Sequence, residues 1–285
     1  MPLLNLTPPI KKLIDMALAE DLGPGDITTE NLISPDAAGR ATVVAKEPLT
    51  LAGLAVARYV FERLDPSVVF TTRFNDGDTL LPGQTAIRLA GSLAALLTAE
   101  RTALNFLQRL AGIATFTREY VDLLRGQKVR LLDTRKTTPG WRALEKYAVR
   151  IGGGANHRIG LYDAVLIKDN HIVAAGGIAS AVASMRSRVP GDMTIEVETA
   201  SLDQVRSALE AGAHIIMLDN MDLDQIRAAV ALVAGRAKLE VSGGVTLENL
   251  AALAATGIDF ISCGALTHSA RAVDLGMYIA NTNDR

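Results

Sequence analysis

One pattern dominates the second half of the chain: short apolar runs, each followed by polar or glycine residues. The six runs are residues 129–132, 164–167, 194–197, 214–218, 239–241 and 260–263. From Lys168 onward, the residues that follow the runs lie 30, 21, 23 and 22 positions apart, which fits one strand plus one helix. Such alternation predicts a parallel sheet covered by helices. Because at least six units repeat, we expect the sheet to close into an α/β barrel.

The first part of the chain has a different rhythm. A helix is predicted from about residue 9 to residue 22, because Thr7 can cap its start and glycine follows its end. Residues 39–90 are β-rich, and a long helix is predicted over residues 93–110. The strand candidates in the β-rich part are residues 41–45, 68–72 and 86–89. The chain has 285 residues. This length, together with the change of pattern, predicts about two domains.

Composition excludes several classes of protein. The net charge of −2 gives no reason to expect nucleic acid binding. No run approaches the ~18 consecutive apolar residues of a membrane span, so no membrane partner is expected. Cys263 is the only cysteine, which excludes an intrachain disulfide and favours a cytoplasmic setting.

Positive charge is concentrated between residues 130 and 170, a stretch that contains eight Lys and Arg but only four Asp and Glu. Arg135 and Lys136 follow the first apolar run, and Lys168 follows the second. A glycine run at 152–154 leads to His157 and Arg158. The ends of parallel strands meet at one face of a barrel, where active sites form. These side chains therefore predict a pocket for small anionic ligands.

The next strand ends carry carboxylates and glycines. Glu198 and Asp219 suit sugar hydroxyls, or Mg²⁺ held together with substrate phosphates. Ser242, Gly243 and Gly264 come near the end of the repeat, where barrels commonly bind phosphate. A zinc site is not expected, because the sequence has no Cys/His cluster.

Two features keep alternatives open. Arg101 belongs to a polar stripe on the predicted helix 93–110, which is either an ordinary surface or a contribution to a pocket in its own subunit or a neighbour's. Lys168 could bind an anion or form a Schiff base, as in an aldolase barrel. A non-catalytic anion-binding protein is a third possibility.

At these residues the chain resembles the quinolinate phosphoribosyltransferase family, the carboxylating nicotinate-nucleotide pyrophosphorylases. The matching motifs include Asp-Thr-Arg-Lys-Thr-Thr-Pro-Gly at 133–140 and Ile-Lys-Asp-Asn-His at 167–171. Further matches lie at 20–29, 100–108, 145–149, 152–158, 160–163, 196–198, 216–220, 242–244 and 264–269. The resemblance covers nearly the whole chain from about residue 20, and the block 132–171 is its most specific part.

The resemblance implies a fold and an assembly. An N-terminal α/β sandwich domain, residues 1–112 joined by the C-terminal segment 271–285, would pack on an incomplete parallel α/β barrel, residues 113–270. The protein would work as a homodimer or a higher multiple of dimers with a shared active site.

The resemblance also implies a reaction of de novo NAD biosynthesis. Quinolinate and 5-phosphoribosyl pyrophosphate (PRPP) would give nicotinate mononucleotide, pyrophosphate and carbon dioxide, with Mg²⁺ as cofactor. The implied catalytic residues are Lys136, Lys168, Glu198 and Asp219. The implied quinolinate ligands are Arg101, supplied by the partner subunit, with Arg135, His157, Arg158 and Lys168. The implied PRPP and phosphate ligands are Lys136, Glu198, Asp219, Ser242, Gly243, Gly264 and His268; Glu198 and Asp219 would also approach the metal.

The chain departs from the family pattern at two positions. Ile151 stands where many relatives have cysteine, and Trp141 where a smaller apolar residue is common. Neither is expected to touch the chemistry, although Trp141 could change loop packing.

Overall fold

The computed structural model describes residues 4–280. Within that range the chain forms two compact units. The first unit comprises residues 4–118, 138–153 and 270–280, and the second comprises residues 119–137 and 154–269. The domain boundaries implied by the resemblance stay a prediction. No helix among residues 4–280 is both long and apolar enough to cross a membrane.

The first unit is built on an antiparallel sheet. Its strands are β1 (Ala38–Ala45), β2 (Leu49–Thr50), β3 (Val69–Thr71), β4 (Thr79–Leu80), β5 (Thr85–Ser92) and β12 (Leu275–Ile279). Four of them form one sheet in the order β12-β1-β5-β3, and β2 pairs with β4. Its helices are α1 (Pro8–Leu22), α2 (Ile27–Leu32), α3 (Leu54–Leu64), α5 (Arg142–Gly152) and most of α4 (Leu93–Leu123). The separate N-terminal α/β part with its antiparallel sheet agrees with the fold that the resemblance implies.

Two helices of this unit differ from the prediction. Helix α3 lies inside the stretch predicted to be β-rich; its buried residues are Val56, Ala57, Val60 and Phe61, a helical spacing. Helix α4 continues 13 residues beyond the predicted end at residue 110. Gly112 lies inside this helix and does not end it. A Cβ there would lie 2.0 Å from the carbonyl oxygen of Arg271, so glycine is needed for this close backbone approach.

The second unit is a six-stranded parallel sheet with helices between its strands. The strands are β6 (Arg130–Leu132), β7 (Val165–Ile167), β8 (Ile195–Thr199), β9 (Ile215–Asp219), β10 (Lys238–Ser242) and β11 (Phe260–Ser262). The helices are α6 (Asp169–Ala174), α7 (Ile178–Arg186), α8 (Leu202–Glu210), α9 (Leu223–Val233), α10 (Leu247–Ala254) and α11 (Ala265–His268). All six predicted strands are present, so the predicted α/β class with a parallel second half is confirmed.

The sheet order is β6-β11-β10-β9-β8-β7. Strands β6 and β7 are the outer strands of this order, so the sheet is an incomplete barrel, as the resemblance implies, rather than the closed one that the repeat alone suggests. Asp222 caps α9 by accepting from the backbone N–H groups of Asp224 and Gln225. The chain therefore leaves and re-enters each strand at defined points, which aligns the strand ends that form the site.

Candidate active site

A cavity of about 740 Å³ lies over the carboxyl ends of the parallel strands in the second unit. Eleven of the twelve predicted site residues line it, namely Arg135, Lys136, His157, Arg158, Lys168, Glu198, Asp219, Ser242, Gly243, Gly264 and His268. The structure thus brings together side chains that lie up to 133 positions apart in the chain.

Arg101 is the exception. It lies on α4 in the first unit, its side chain is 60% exposed, and the nearest charged partner is Glu100 at 4.0 Å. An exposed guanidinium is free to meet an anion from another molecule, but the contribution of Arg101 to a pocket in a partner subunit stays a prediction.

The loop after β6 is fixed by a buried carboxylate. Asp133 is fully buried, and its oxygens accept from the Asn156 side chain and from the backbone N–H of His157 at 2.8 Å. From the other side, the Thr267 hydroxyl donates to the carbonyl oxygen of Lys136 at 2.6 Å. The two cations that follow Asp133 are therefore presented from a rigid backbone.

Arg135 and Arg158 form a cationic wall of the cavity. The Nε atom of Arg135 is buried and has no hydrogen-bond partner among residues 4–280. Burial, and then the positive charge of Arg135, lowers the pKa of Arg158. A buried donor without a partner and two cations that repel each other are both relieved by a bound anion.

His157 stands between this wall and the interior. The backbone N–H of Arg158 donates to Nδ1 of His157 at 2.8 Å. The opposite ring nitrogen, Nε2, lies 2.9 Å from Oε2 of Glu196 and 3.6 Å from Oε1 of Glu240. Both ring nitrogens thus already have protein partners, which places His157 at the junction of the cavity and a buried carboxylate pair.

The glycine run before His157 has a steric cause. Gly153 has a φ of +100° and ends α5. A Cβ on Gly152 would come within 2.6 Å of the carbonyl oxygen of Ala114 in the same unit. Close backbone approach therefore accounts for Gly152.

Lys168 and Glu198 form an ion pair across neighbouring strand ends. Lys168 precedes α6, and its backbone N–H donates to Nδ1 of His171 at 3.0 Å. His171 therefore holds the backbone at the end of this strand and has a structural role.

The turn after β9 joins Asp219 to the glycine loop after β10. Asn220 donates from its backbone to the carbonyl oxygen of Ser242 and from its side chain to Oδ2 of Asp219, both at 2.9 Å. Gly243 has a φ of +90°, and a Cβ there would lie 2.1 Å from Oδ1 of Asn220. Only glycine fits this contact, so the loop and the carboxylate are positioned together.

Lys136 and His268 flank Gly264 on the same side of the cavity. A Cβ on Gly264 would lie 2.9 Å from Cδ of Lys136 and 3.2 Å from the His268 ring. The absence of a side chain at Gly264 lets two cationic or polar groups converge on a small space, which is suitable for a phosphate.

Sequence reasoning missed the roles of two buried carboxylates, Glu196 and Glu240. Glu196 is 3% exposed and Glu240 is 0% exposed. Oε1 of Glu196 and both oxygens of Glu240 lack a hydrogen-bond partner among the described residues. Burial, and then the charge of Glu196, raises the pKa of Glu240 to about 7, while His157 opposes the shift. The available signal was a glutamate inside an apolar central strand in both 194–197 and 239–241.

Comparison with models of known protein families identifies the family of this chain. The model of the quinolinate phosphoribosyl transferase C-terminal domain matches residues 113–278, and that of the N-terminal domain matches residues 26–111. The chain belongs to the quinolinate phosphoribosyltransferase family. Membership covers both structural units and confirms the resemblance drawn from the motifs.

Relatives of this quinolinate phosphoribosyltransferase family member are similar over most of their length. It is 45% identical over 275 residues to the probable nicotinate-nucleotide pyrophosphorylase (carboxylating) of Bacillus subtilis, covering 96% of this chain and 95% of that protein. It is 47% identical over 265 residues to the probable Synechocystis enzyme of the same name, covering 92% and 90% respectively. The crystal structure of NadC from Streptococcus pyogenes superimposes with a TM-score of 0.93 at 42% identity, covering 98% of this chain and 100% of that one.

Proposed function

We propose that this enzyme joins quinolinate to PRPP and releases nicotinate mononucleotide, pyrophosphate and carbon dioxide. The observation that carries the proposal is one cavity with a cationic wall, two carboxylates and two glycine-containing strand ends. Family membership supports the reaction class, and the residue types that line the cavity support the assignments of substrate parts given below. The Schiff-base and non-catalytic alternatives have no comparable support.

The cationic wall is suited to quinolinate. We assign Arg135, Arg158 and Lys168 to its two carboxylates, with His157 in the same wall. Fixed cations can replace the water that a dicarboxylate loses on binding, and an arginine can hold a carboxylate through two parallel hydrogen bonds. The buried Nε of Arg135 is a donor that such a carboxylate would satisfy.

The opposite part of the cavity is suited to PRPP. We assign Glu198 and Asp219 to the ribose hydroxyls, and Lys136 to the charge that develops on the pyrophosphate. The 5′-phosphate would lie against the strand ends after β10 and β11, where glycine backbone groups can approach it closely. The residues assigned to that phosphate are Ser242, Gly243, Gly264 and His268.

Mg²⁺ fits this half of the site. Carboxylate oxygens are its preferred protein ligands, and it commonly binds through one or two carboxylates plus substrate phosphates. Glu198 and Asp219 both line the cavity and supply such oxygens. When bound, Mg²⁺ would neutralise charge on the departing pyrophosphate.

Catalysis then depends on positioning more than on a protein nucleophile. The pyridine nitrogen of quinolinate attacks the anomeric carbon of PRPP as the bond to pyrophosphate breaks. The bond from C2 to the 2-carboxylate next breaks and releases carbon dioxide. The electron pair of that bond stays on C2, where the adjacent positively charged ring nitrogen stabilises it until it takes up a proton. The cations of this chain hold the ring in the orientation that the first step needs.

We further propose a homodimer, or a multiple of dimers, in which Arg101 of one subunit completes the quinolinate site of the other. The support is the exposure of Arg101 together with its match to the family motif at 100–108. The cytoplasmic setting also stays a prediction.

The test compares two pyridine acids. Pyrophosphate release is measured with PRPP, Mg²⁺ and either quinolinate or nicotinate, which lacks the 2-carboxylate. We expect turnover with quinolinate and little with nicotinate, because one carboxylate leaves part of the cationic wall unpaired. Equal or better turnover of nicotinate would contradict the assignment.

A variant pair localises the effect. Arg135→Ala should weaken quinolinate binding at least tenfold, since hydrogen bonds to charged groups contribute about 1.5–3 kcal/mol. Arg227→Ala is the matched control, because Arg227 is exposed and pairs with Asp224 one helical turn away, outside the cavity. An unchanged affinity in Arg135→Ala would remove Arg135 from the site.

A further inference from the structure

A buried cluster lies directly behind the cationic wall, and its two carboxylates have no part in the chemistry described above. It consists of His157, Glu196 and Glu240. One ring nitrogen of His157 and one carboxylate oxygen of each glutamate all lie within 4.8 Å of one another. Glu240 is fully buried in the middle of β10, yet it also lines the cavity. A glutamate in a central strand is costly unless its charge is compensated or removed.

The hydrogen bonds of His157 fix how much compensation is available. Its Nδ1 accepts the backbone N–H of Arg158, so Nδ1 carries a lone pair and the ring proton lies on Nε2. That single N–H points to Oε2 of Glu196 at 2.9 Å, whereas Glu240 is farther, at 3.6 Å. One donor therefore serves two carboxylates, and Glu196 receives it.

Among residues 4–280, the basic group that lowers the pKa of Glu240 is His157, while Arg158 interacts electrostatically with Glu196. The titratable groups that face it are Glu196 from β8 and His157 from the loop before β7. On the adjacent strands, Met217 of β9 pairs with it in register, and the Ser262 hydroxyl of β11 lowers the pKa of Glu240, but by less than burial raises it. Burial of the Glu240 side chain costs little free energy only when the carboxyl group is neutral. This agrees with its pKa, which is raised chiefly by burial.

We propose that Glu240 is a positioning residue that must be protonated when quinolinate binds, so that binding takes up one proton above neutral pH. The inference rests on the proposed function. A dicarboxylate arriving at the wall brings negative charge towards Glu240, which lines the same cavity, and an ionised Glu240 would repel it. The proton comes from solvent, binds to a Glu240 oxygen, and returns to solvent when the product leaves.

The expected pH dependence follows from linkage. With a pKa of about 7 in the free enzyme, the protonated fraction falls about tenfold between pH 6 and pH 8. Quinolinate itself does not change charge over this range, because carboxylates of ordinary pKa near 4 are already ionised. The dissociation constant should therefore rise about tenfold from pH 6 to pH 8, to the extent that the protonated form alone binds.

The experiment measures quinolinate binding by titration calorimetry without PRPP, whose phosphates titrate near pH 6. Runs at pH 6, 7 and 8 in buffers of different ionisation enthalpy give both affinity and proton uptake. The wild type should lose about tenfold in affinity and take up nearly one proton at pH 8. Glu240→Gln, which resembles the neutral acid, should bind with a pH-independent affinity and no proton uptake.

The matched control is Glu248→Gln, the same change at an exposed position of α10 in the same unit, and it should keep the wild-type profile. If the quinolinate affinity of Glu240→Gln depends on pH as steeply as that of wild type, the inference is overturned. A dependence that is only displaced along the pH axis, as titration of His157 would cause, also overturns it. So does wild-type binding without proton uptake at pH 8, which needs no variant. Either result leaves turnover of quinolinate intact, so the proposed function would stand while this inference fails.

Discussion

Glu240 also gives a stability prediction whose magnitude can be worked from the structure. Its pKa is about 7 when folded, against 4.5 as the ordinary value. Each tenfold change in proton affinity is worth about 1.4 kcal/mol, so ionising Glu240 in the folded protein costs about 3 kcal/mol in total. The unfolded chain loses this proton first, near pH 4.5. Stability contributed by the neutral acid is therefore present below that pH and is lost as pH rises to about 7.

Glu240→Gln removes the titration and should remove the loss. The free energy of unfolding of this variant, minus that of wild type, should be about 2–3 kcal/mol larger at pH 8 than at pH 5, because only wild type loses stability over this range. Urea unfolding at the two pH values measures the difference, with Glu248→Gln as the surface control. A difference between variant and wild type that is the same at pH 5 and pH 8 would refute the reasoning, because it would mean that Glu240 does not titrate between them.

Two further predictions concern subunit sharing and the glycine loop. Inactive Arg101→Ala and inactive Lys168→Ala subunits, once mixed, should recover part of the wild-type activity, because one site of the hybrid dimer keeps both cations; no recovery in proven hybrids would contradict sharing. Both Gly243 and Gly244 have positive φ, so alanine strains the backbone at either position. Gly243→Ala should still raise the KM for PRPP about tenfold more than Gly244→Ala, since a Cβ on Gly243 meets Oδ1 of Asn220 at 2.1 Å and one on Gly244 meets nothing within 4 Å. Equal KM values would show that the contact does not position the loop.

The parallel half of the fold was predictable because each strand is an apolar run that ends in a polar or glycine residue. The repeat fixed the position of β6 to β11 within two residues and brought the ends of the strands to one face. Helix α3 was missed because its buried face, including Val56 and Val60, uses β-branched residues that are equally typical of strands.

The candidate site likewise contains some residues that the sequence predicts and others that it does not. Lys168, Glu198 and Asp219 stand at strand ends, where the alternation of strand and helix gives their position. Glu240 stands inside a strand, and its importance depends on its distance from Glu196 and His157, which come from other parts of the chain. A contact of that kind follows from the packing of three separate segments, and local pattern contains no information about it.

The measurement that tests the account most directly is the stoichiometry of the complete reaction. Quinolinate labelled in its 2-carboxylate is incubated with PRPP, Mg²⁺ and purified enzyme, and released carbon dioxide is counted against nicotinate mononucleotide. We predict equal amounts of the two products, and none of either when PRPP is omitted. Carbon dioxide without nucleotide, nucleotide that retains the label, or no product under conditions where the protein is folded would contradict the proposed function.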